Sequence, residues 1–584
     1  MFCQGFSAAK HLGYYLVRMR CRNRNKDWRG NPTRILRSNA FSRQSGERNK
    51  AAQWLIGFAL LAGCTAESPF TDVTHEAGFD SFTHATGAIG SRWMPEILGA
   101  GAAFLDWDDD RWPDVMLVSG STWDAHQLPA LRLFRNNQDG TFTEVTHAAR
   151  LDAVTAYGFG LAIADYDNDG DADVYLTALE ANLLLRNDHG LFTEVGAVAG
   201  VRGPAEWNTV AVFLDADRDG WLDLYVGGYV PWDSTRDVHC LGPEGKKIYC
   251  TPKVYNGLPH RFYHNNGDGT FANWTDSVGL LPSPGKTLGA VTLDFNHDLW
   301  PDLAVANDLE ADQLYENNGD GTFTERGLLS GIAYDARGIA PAGMGIASGD
   351  LDGAGEVSLV IGNFSNQMMG VFRHAGGGRF ADRAASSRIG GLSRQTLTFG
   401  LLLFDVDLDG DLDIFAANGH IHAHVDQNAS GITFRQAPHL FLNRGEAVFD
   451  DQGAAFPPLL GRGVAYGDID RDGDLDLLTT QNGGAVHLWR NKMGGRFLRV
   501  LLHGTISNRD GVGARLELYS GEMWQVRYVA TGGSYLSQSE REITFGLGTH
   551  AMVDSLHIKW PSGRISRLYS LPADTLLVIT EAIQ

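Results

Sequence analysis

Cysteine is scarce: five residues in 584, two of them within the first fifty. That count excludes a disulfide-dense scaffold, and no paired-cysteine zinc signature is present. A nucleophile elbow and a phosphate loop are also missing, so no motif names a catalytic reaction. The apolar stretch "AAQWLIGFALLAG" (51–63) is shorter than the roughly 20 residues a membrane helix needs. Positive charge is thin over most of the chain. Residues 1–50 hold 12 of the 48 Lys and Arg and 2 of the 70 Asp and Glu, a net of +10, so the remainder carries −32. An acidic surface of that size argues against nucleic-acid binding, which needs a basic patch. Hydrophobic content is 43%, ordinary for a globular chain of this length.

What is abundant is aspartate, arranged in one pattern. "FDVDLDGDLDIF" (404–415) places aspartates at 405, 407, 409, 411 and 413 between apolar residues. A strand would turn such alternation into an all-acid face, and Asp is disfavoured in strands. Oxygen ligands at positions 1, 3, 5 and 9, a backbone carbonyl at 7 and Gly at 6 suit Ca²⁺, which takes about six to eight oxygens. Asp405, Asp407, Asp409 and Asp413 are then ligands, and Asp411 gives its carbonyl.

The pattern recurs at Asp106, Asp108, Asp110 and Asp114; at Asp165, Asp167, Asp169 and Asp173; and at Asp215, Asp217, Asp219 and Asp223. It returns at Asp294, Asn296, Asp298 and Asp302, and at Asp468, Asp470, Asp472 and Asp476. A single copy reads equally well as a solvated acidic turn; six full copies favour about six bound Ca²⁺ ions. The loops at 106 and 294 are the weaker ones, because Arg111 and Leu299 stand where Gly is expected. A seventh copy, 350–358, has Ala354 and Ser358 in place of ligands and reads as a remnant.

Short apolar runs flank each loop and read as buried strands. Asn-Gly and Asp-Gly turns follow, as in "LFRNNQDGTFTEVT" (133–146) and "FYHNNGDGTFANWT" (262–275). The Phe after each turn (142, 192, 271, 323, 380, 449, 497) is expected to pack between sheets. Four strands per unit and seven units predict an all-β fold: a seven-bladed β-propeller over 65–497. "SPFTDVTHEAGF" (68–79) precedes the first loop and is expected to supply the strand that closes the ring. Short strands beyond 498 predict a small β-sandwich-like domain at 498–584.

These repeats, visible in "YGFGLAIADYDNDGDAD" (157–173) and "LTFGLLLFDVDLDGDLD" (397–413), resemble FG-GAP/VCBS repeats. The segments "SNRDGVGARLELYSG" (507–521), "GGSYLSQSE" (532–540), "FGLG" (545–548) and "WPSG" (560–563) resemble an ASPIC/UnbV domain. Together they resemble bacterial relatives of cartilage acidic protein. The resemblance implies a calcium-binding, extracytoplasmic propeller with a β-rich appendage and says little of its biochemical purpose.

The N-terminus reads as an address. Residues 1–47 form a basic leader, expected from a start site placed too early, with an organellar transit peptide as the rival. Residues 48–64 read as a lipoprotein-type signal peptide, whose "LAGC" ends on a lipidation candidate, Cys64. A plain secretory signal is the alternative. Bacterial envelope localisation follows, with the membrane reached only through the lipid. Cys240 and Cys250 sit in an insertion (230–262) and read as a disulfide, with a metal pair involving His239 as the other option.

Two further features stay open. His420, His422 and His424 alternate and would share one strand face, a possible Zn²⁺ or Cu²⁺ site; a structural role for His420 is the competing reading. Glu96 lies just before the first loop, near the expected channel mouth. The functional expectation is a binding or adhesion scaffold for a protein or glycan ligand. The alternatives are an extracytoplasmic enzyme using the propeller channel and a structural part of an envelope complex.

Overall fold

A strand that is apolar on both faces must be covered on both, and each repeat supplies such strands without a helix to cover them. Packing the repeats face to face around an axis solves this. The computed structural model describes residues 68–582 except 124–127, 243–244, 281–284, 428–429 and 446. The leader, the apolar run and Cys64 lie outside the described residues.

Seven four-stranded antiparallel sheets form seven blades. Blade 1 spans 102–144, blade 2 158–194, blade 3 208–273, blade 4 287–325, blade 5 343–382 and blade 6 398–451. Blade 7 takes three strands from 461–491, and Phe70–Asp72 closes it by pairing with His487–Asn491. The predicted ring closure is therefore present. One expectation is corrected. Phe142, Phe192, Phe271, Phe323, Phe380 and Phe449 are buried in fourth strands, but Phe497 is not their counterpart. Phe70, 3% exposed, fills that place in blade 7, because the closing strand comes from the other end of the repeat array.

The innermost strands neighbour one another in cyclic order around the axis. Glycine makes the approach possible. A Cβ on Gly345 would lie 2.1 Å from the Phe399 carbonyl oxygen of the next blade, and one on Gly400 2.4 Å from that of Arg462.

Arg496–His503 already belongs to the C-terminal domain, which has a three-stranded and a four-stranded sheet. Its apolar core runs into that of blades 2 and 3, through Leu498, Val500 and Leu516 against Phe213 and Tyr166. The link from Val529 to Arg541 leaves this sandwich and fills the propeller channel, bonding or stacking on every blade. Ala102 of blade 1 donates its N–H to Ser537 Oγ (3.1 Å), and in blade 2 the Gln538 amide bonds both the N–H and the carbonyl of Ile163 (2.9 and 2.7 Å). Thr531 donates its hydroxyl to the Phe213 carbonyl of blade 3 and its N–H to Thr292 Oγ1 of blade 4 (3.1 Å). Ile346 of blade 5 donates its N–H to the Ser534 carbonyl (3.1 Å). Ser534 Oγ donates to the Val464 carbonyl of blade 7 (2.7 Å). Tyr535 packs edge-on against Phe399 of blade 6, ring centres 4.9 Å apart, and reaches the far end, where its hydroxyl donates to the Leu98 carbonyl (2.6 Å). A cavity of about 160 Å³ remains beside this segment, lined by Asp405, Tyr466, Arg527 and Glu540 among others.

Candidate functional site

Each Asp-rich loop is the turn between the inner and second strands of a blade. The position-1 aspartate ends the inner strand and accepts backbone N–H groups from inside its own turn. Asp165 takes those of Asp169 (3.0 Å) and Gly170 (2.9 Å), and Asp405 those of Asp409 (3.1 Å) and Gly410 (2.9 Å). Residue 6 is left-handed throughout, including Arg111 (φ 67°) and Leu299 (φ 69°), so both weaker loops keep the same turn at a steric cost. The remnant loop also folds this way, Asp350 accepting from Ala354 and Gly355.

The position-9 aspartates are the most deeply set. Asp114, Asp173 and Asp302 are fully buried. Each position-9 carboxylate accepts the N–H of residue 2, as Asp413 does from Val406 (2.9 Å). It also accepts the N–H of an asparagine on the third strand, as Asp413 does from Asn443 (2.7 Å). That asparagine was not read as functional in the sequence. Asn136, Asn187, Asn265, Asn317, Asn443 and Asn491 each donate the side-chain amide to the residue-2 carbonyl of the preceding blade's loop, at 2.8–3.0 Å. The signal for it is the Asn that recurs at the end of the third strand or just before its turn in six of the seven repeats.

The oxygens converge as a cation site requires. Asp106, Asp108 and Asp114 each bring one ligand atom within 4.8 Å of the others, as do Asp165, Asp167 and Asp173; Asp405, Asp407 and Asp413; and Asp468, Asp470 and Asp476. Oδ1 of Asp108, Asp167, Asp407 and Asp470, all at position 3, is buried without a hydrogen-bond partner, as is Oδ1 of Asp215 and Asp468. Unpaired buried carboxylate oxygens are costly, and a divalent ion is the partner this donor set fits. Burial, reinforced by neighbouring aspartates, pushes Asp114 and Asp215 up to about 8 and Asp405 up to about 7. A bound cation reverses that tendency to hold protons.

Other expected ligands stand apart. Asp110, Asp169, Asp409 and Asp472 at position 5 lie outside those groups, their Oδ1 accepting the N–H two residues on at 2.9–3.0 Å. In blade 4 Asn296 donates its amide to Asp298 (2.8 Å). In blade 3 the group is Asp217, Asp219 and His264, with Asp215 and Asp223 in the same loop. Third-strand side chains reach in: Arg135 to Asp108 (2.7 Å) and Asp110 (3.2 Å), Arg490 to Asp470 (3.3 Å) and Arg373 to Asp352 of the remnant.

The C-terminal domain docks on this loop face. Arg499, 4% exposed, bridges Asp468 (2.9 Å) and Glu540 (2.5 Å). Asp510 accepts the Asp165 N–H (2.9 Å), and Gly548 donates its N–H to the Leu408 carbonyl (2.7 Å).

The opposite face carries the insertion, which lies between Gly228 and Arg261 and is closed by a Cys240–Cys250 disulfide. Trp93, Trp123 and Trp232 form a cluster with ring centres 4.8–5.9 Å apart, the first two half-buried, and Trp123 stacks on Tyr157 (4.8 Å). Glu96 lies beside them, 1% exposed, and accepts the Tyr249 hydroxyl of the insertion (3.0 Å); its other oxygen has no partner. Burial raises its pKa. Arg92 lies over Tyr249 (5.4 Å). His420, His422 and His424 follow one another with ring centres 5.8 and 5.1 Å apart, but His420 Nδ1 accepts the His422 N–H (3.0 Å). The three form no ligand group among the described residues.

Residues 504–584 match the family model described as ASPIC and UnbV, and residues 106–176 and 294–361 match an FG-GAP-like repeat. Cartilage acidic protein 1 of Xenopus tropicalis is 26% identical over 275 residues, 45% of this chain and 40% of that protein. The Homo sapiens protein of the same name is 26% identical over 275 residues, 45% of this chain and 39% of its own length. The match thus spans about two-fifths of these relatives. Among solved structures, an Agrocybe aegerita lectin that recognises non-reducing terminal N-acetylglucosamine is 15% identical. It covers 68% of this chain and 95% of its own, with a TM-score of 0.38. Parts of the chain therefore match FG-GAP-like repeats and an ASPIC and UnbV domain, and over the aligned stretch the chain is similar to cartilage acidic protein 1.

Proposed function

We propose that this protein is a calcium-stapled binding scaffold that presents one face of its propeller to a protein or glycan ligand outside the cytoplasm. One observation carries this reading. Among the described residues the C-terminal domain covers the loop face and its link fills the channel, which favours the face with Trp93, Trp123, Glu96 and the disulfide-closed insertion as the one that meets a partner. Half-buried aromatic rings with a few polar groups among them are typical of ligand sites. The loops serve mechanically on this reading: a cation joins the two ends of each turn and offsets the repulsion of its acids. The disulfide fits an oxidising compartment. Export and an acyl anchor on Cys64 complete the proposal.

The enzymatic alternative needed an open channel, and the segment 529–541 occupies it. The test uses the calcium-loaded full chain on a glycan array and in pull-downs with defined envelope proteins. Binding that is lost in Trp93→Ala and Trp123→Ala but kept in Met523→Ala, a C-terminal-domain residue beside Gly410 of the blade 6 loop, supports the scaffold. Binding indifferent to both tryptophans refutes the assignment of this face. Mass spectrometry of the mature N-terminus tests the lipid on Cys64.

A further inference from the structure

The blade 3 loop differs from the others in one ligand type. At the third-strand position just before the recurring asparagine or, in blade 5, before His374, the other blades carry Arg135, Arg186, Glu316, Arg373, Leu442 and Arg490; blade 3 carries His264. The imidazole is fixed in place by stacking on Trp274, ring centres 3.8 Å apart and planes 12° from parallel. Its Nδ1 is a buried atom paired with Asp223 (3.0 Å) and lying 3.7 Å from Asp217, so the ring nitrogen faces carboxylates that a shared cation would bridge. Nδ1 and one oxygen each of Asp217 and Asp219 fall within 4.8 Å of one another. Independently, Asp215 heads the same loop, is 2% exposed and has a buried Oδ1 with no partner. It lies close enough to feel the charges of Asp223, Asp219 and Asp217.

We propose that the blade 3 loop is a transition-metal site, taking Zn²⁺ or a similar borderline ion through His264 Nδ1 and the carboxylates around it, while the other loops take Ca²⁺. Cradles made of oxygen alone suit hard ions such as Ca²⁺. Replacing one oxygen by an imidazole nitrogen moves the preference toward Zn²⁺, Co²⁺ or Cu²⁺. The stack on Trp274 orients the ring in advance, so little ordering is needed when the ion arrives. The inference rests on the reading that these loops hold cations, and it adds which ion one of them selects.

The decisive measurement is anomalous scattering from crystals of the full chain grown in millimolar Ca²⁺ with one equivalent of Zn²⁺. The expected result is a zinc peak in the blade 3 loop, about 2.0–2.1 Å from His264 Nδ1, with calcium at other loops. In His264→Leu and His264→Asp that peak disappears, the second variant keeping an acidic loop. In solution, Zn²⁺ affinity of this site falls by more than the ~10–100-fold that loss of an outer-shell partner costs. Calcium rather than zinc in the blade 3 loop, or a zinc peak there that survives both substitutions, overturns this inference and leaves the calcium reading standing. Crystals with no ion in any loop overturn both.

Discussion

Tyr535 is the sharpest test of how the two domains hold together. It is fully buried at the far end of the channel segment, packs against Phe399 and donates its hydroxyl to the Leu98 carbonyl. Truncating a buried aromatic residue to alanine costs about 3–5 kcal/mol. The thermal shift depends on what unfolds together. Unfolding entropy near the midpoint is about 2.1 cal/mol/K per residue. A cooperative unit of roughly 515 residues therefore has about 1.1 kcal/mol/K, and a loss of about 4 kcal/mol lowers its Tm by about 4 °C. If the C-terminal domain unfolds alone, with roughly 85 residues, the same loss lowers its own transition by about 20 °C. The segment's bonds to all seven blades favour the small shift in a single transition. Differential scanning calorimetry of Tyr535→Ala distinguishes the cases, with Tyr535→Phe isolating the hydroxyl at about 1–3 kcal/mol for the unpaired carbonyl. A Tm unchanged within about 1 °C in Tyr535→Ala would show that the segment contributes nothing to the fold, and the account of the filled channel would fail.

Other outcomes follow from the same structure. Chelation with EGTA lowers the Tm, each lost site removing about 2.7 kcal/mol where free Ca²⁺ had stood a hundredfold above its Kd; an unchanged melt refutes calcium stapling. Asn317→Ala leaves the Ala216 and Pro301 carbonyls without their amide partner. The expected loss is about 2–4 kcal/mol by denaturant titration, and a loss under about 0.5 kcal/mol would mean that the asparagine ring does not bind blade to blade. His260 is 1% exposed, and burial depresses its pKa from 6.5 to about 4, its bond to Gln313 (2.9 Å) opposing that shift only in part. Its unfolded form binds the proton first, so its stabilising contribution is full above about pH 6.5 and is lost as pH falls toward 4. His260→Gln flattens the acid limb of the Tm–pH curve over that window; an unaltered slope counts against the assignment.

The Asp pattern, the apolar runs beside it and the Phe after each turn all lie within a few tens of residues. Local spacing therefore determined the seven blades, the loop positions and the Cys240–Cys250 disulfide, and the spare "SPFTDVT" segment announced how the ring closes. Arg111 and Leu299 marked two loops as weaker in the sequence, yet both residues take the left-handed backbone that Gly takes in the other loops. What the sequence did not show depends on residues hundreds of positions apart. Gln538 bonds Ile163, Tyr535 bonds Leu98 and Arg499 bonds Asp468 only once the ring exists to receive them. No periodicity marks such pairs, because each is made once. Only the tertiary structure therefore decided that the channel is filled, that the loop face is covered, and that His264 points into an acidic loop where most other blades place an arginine.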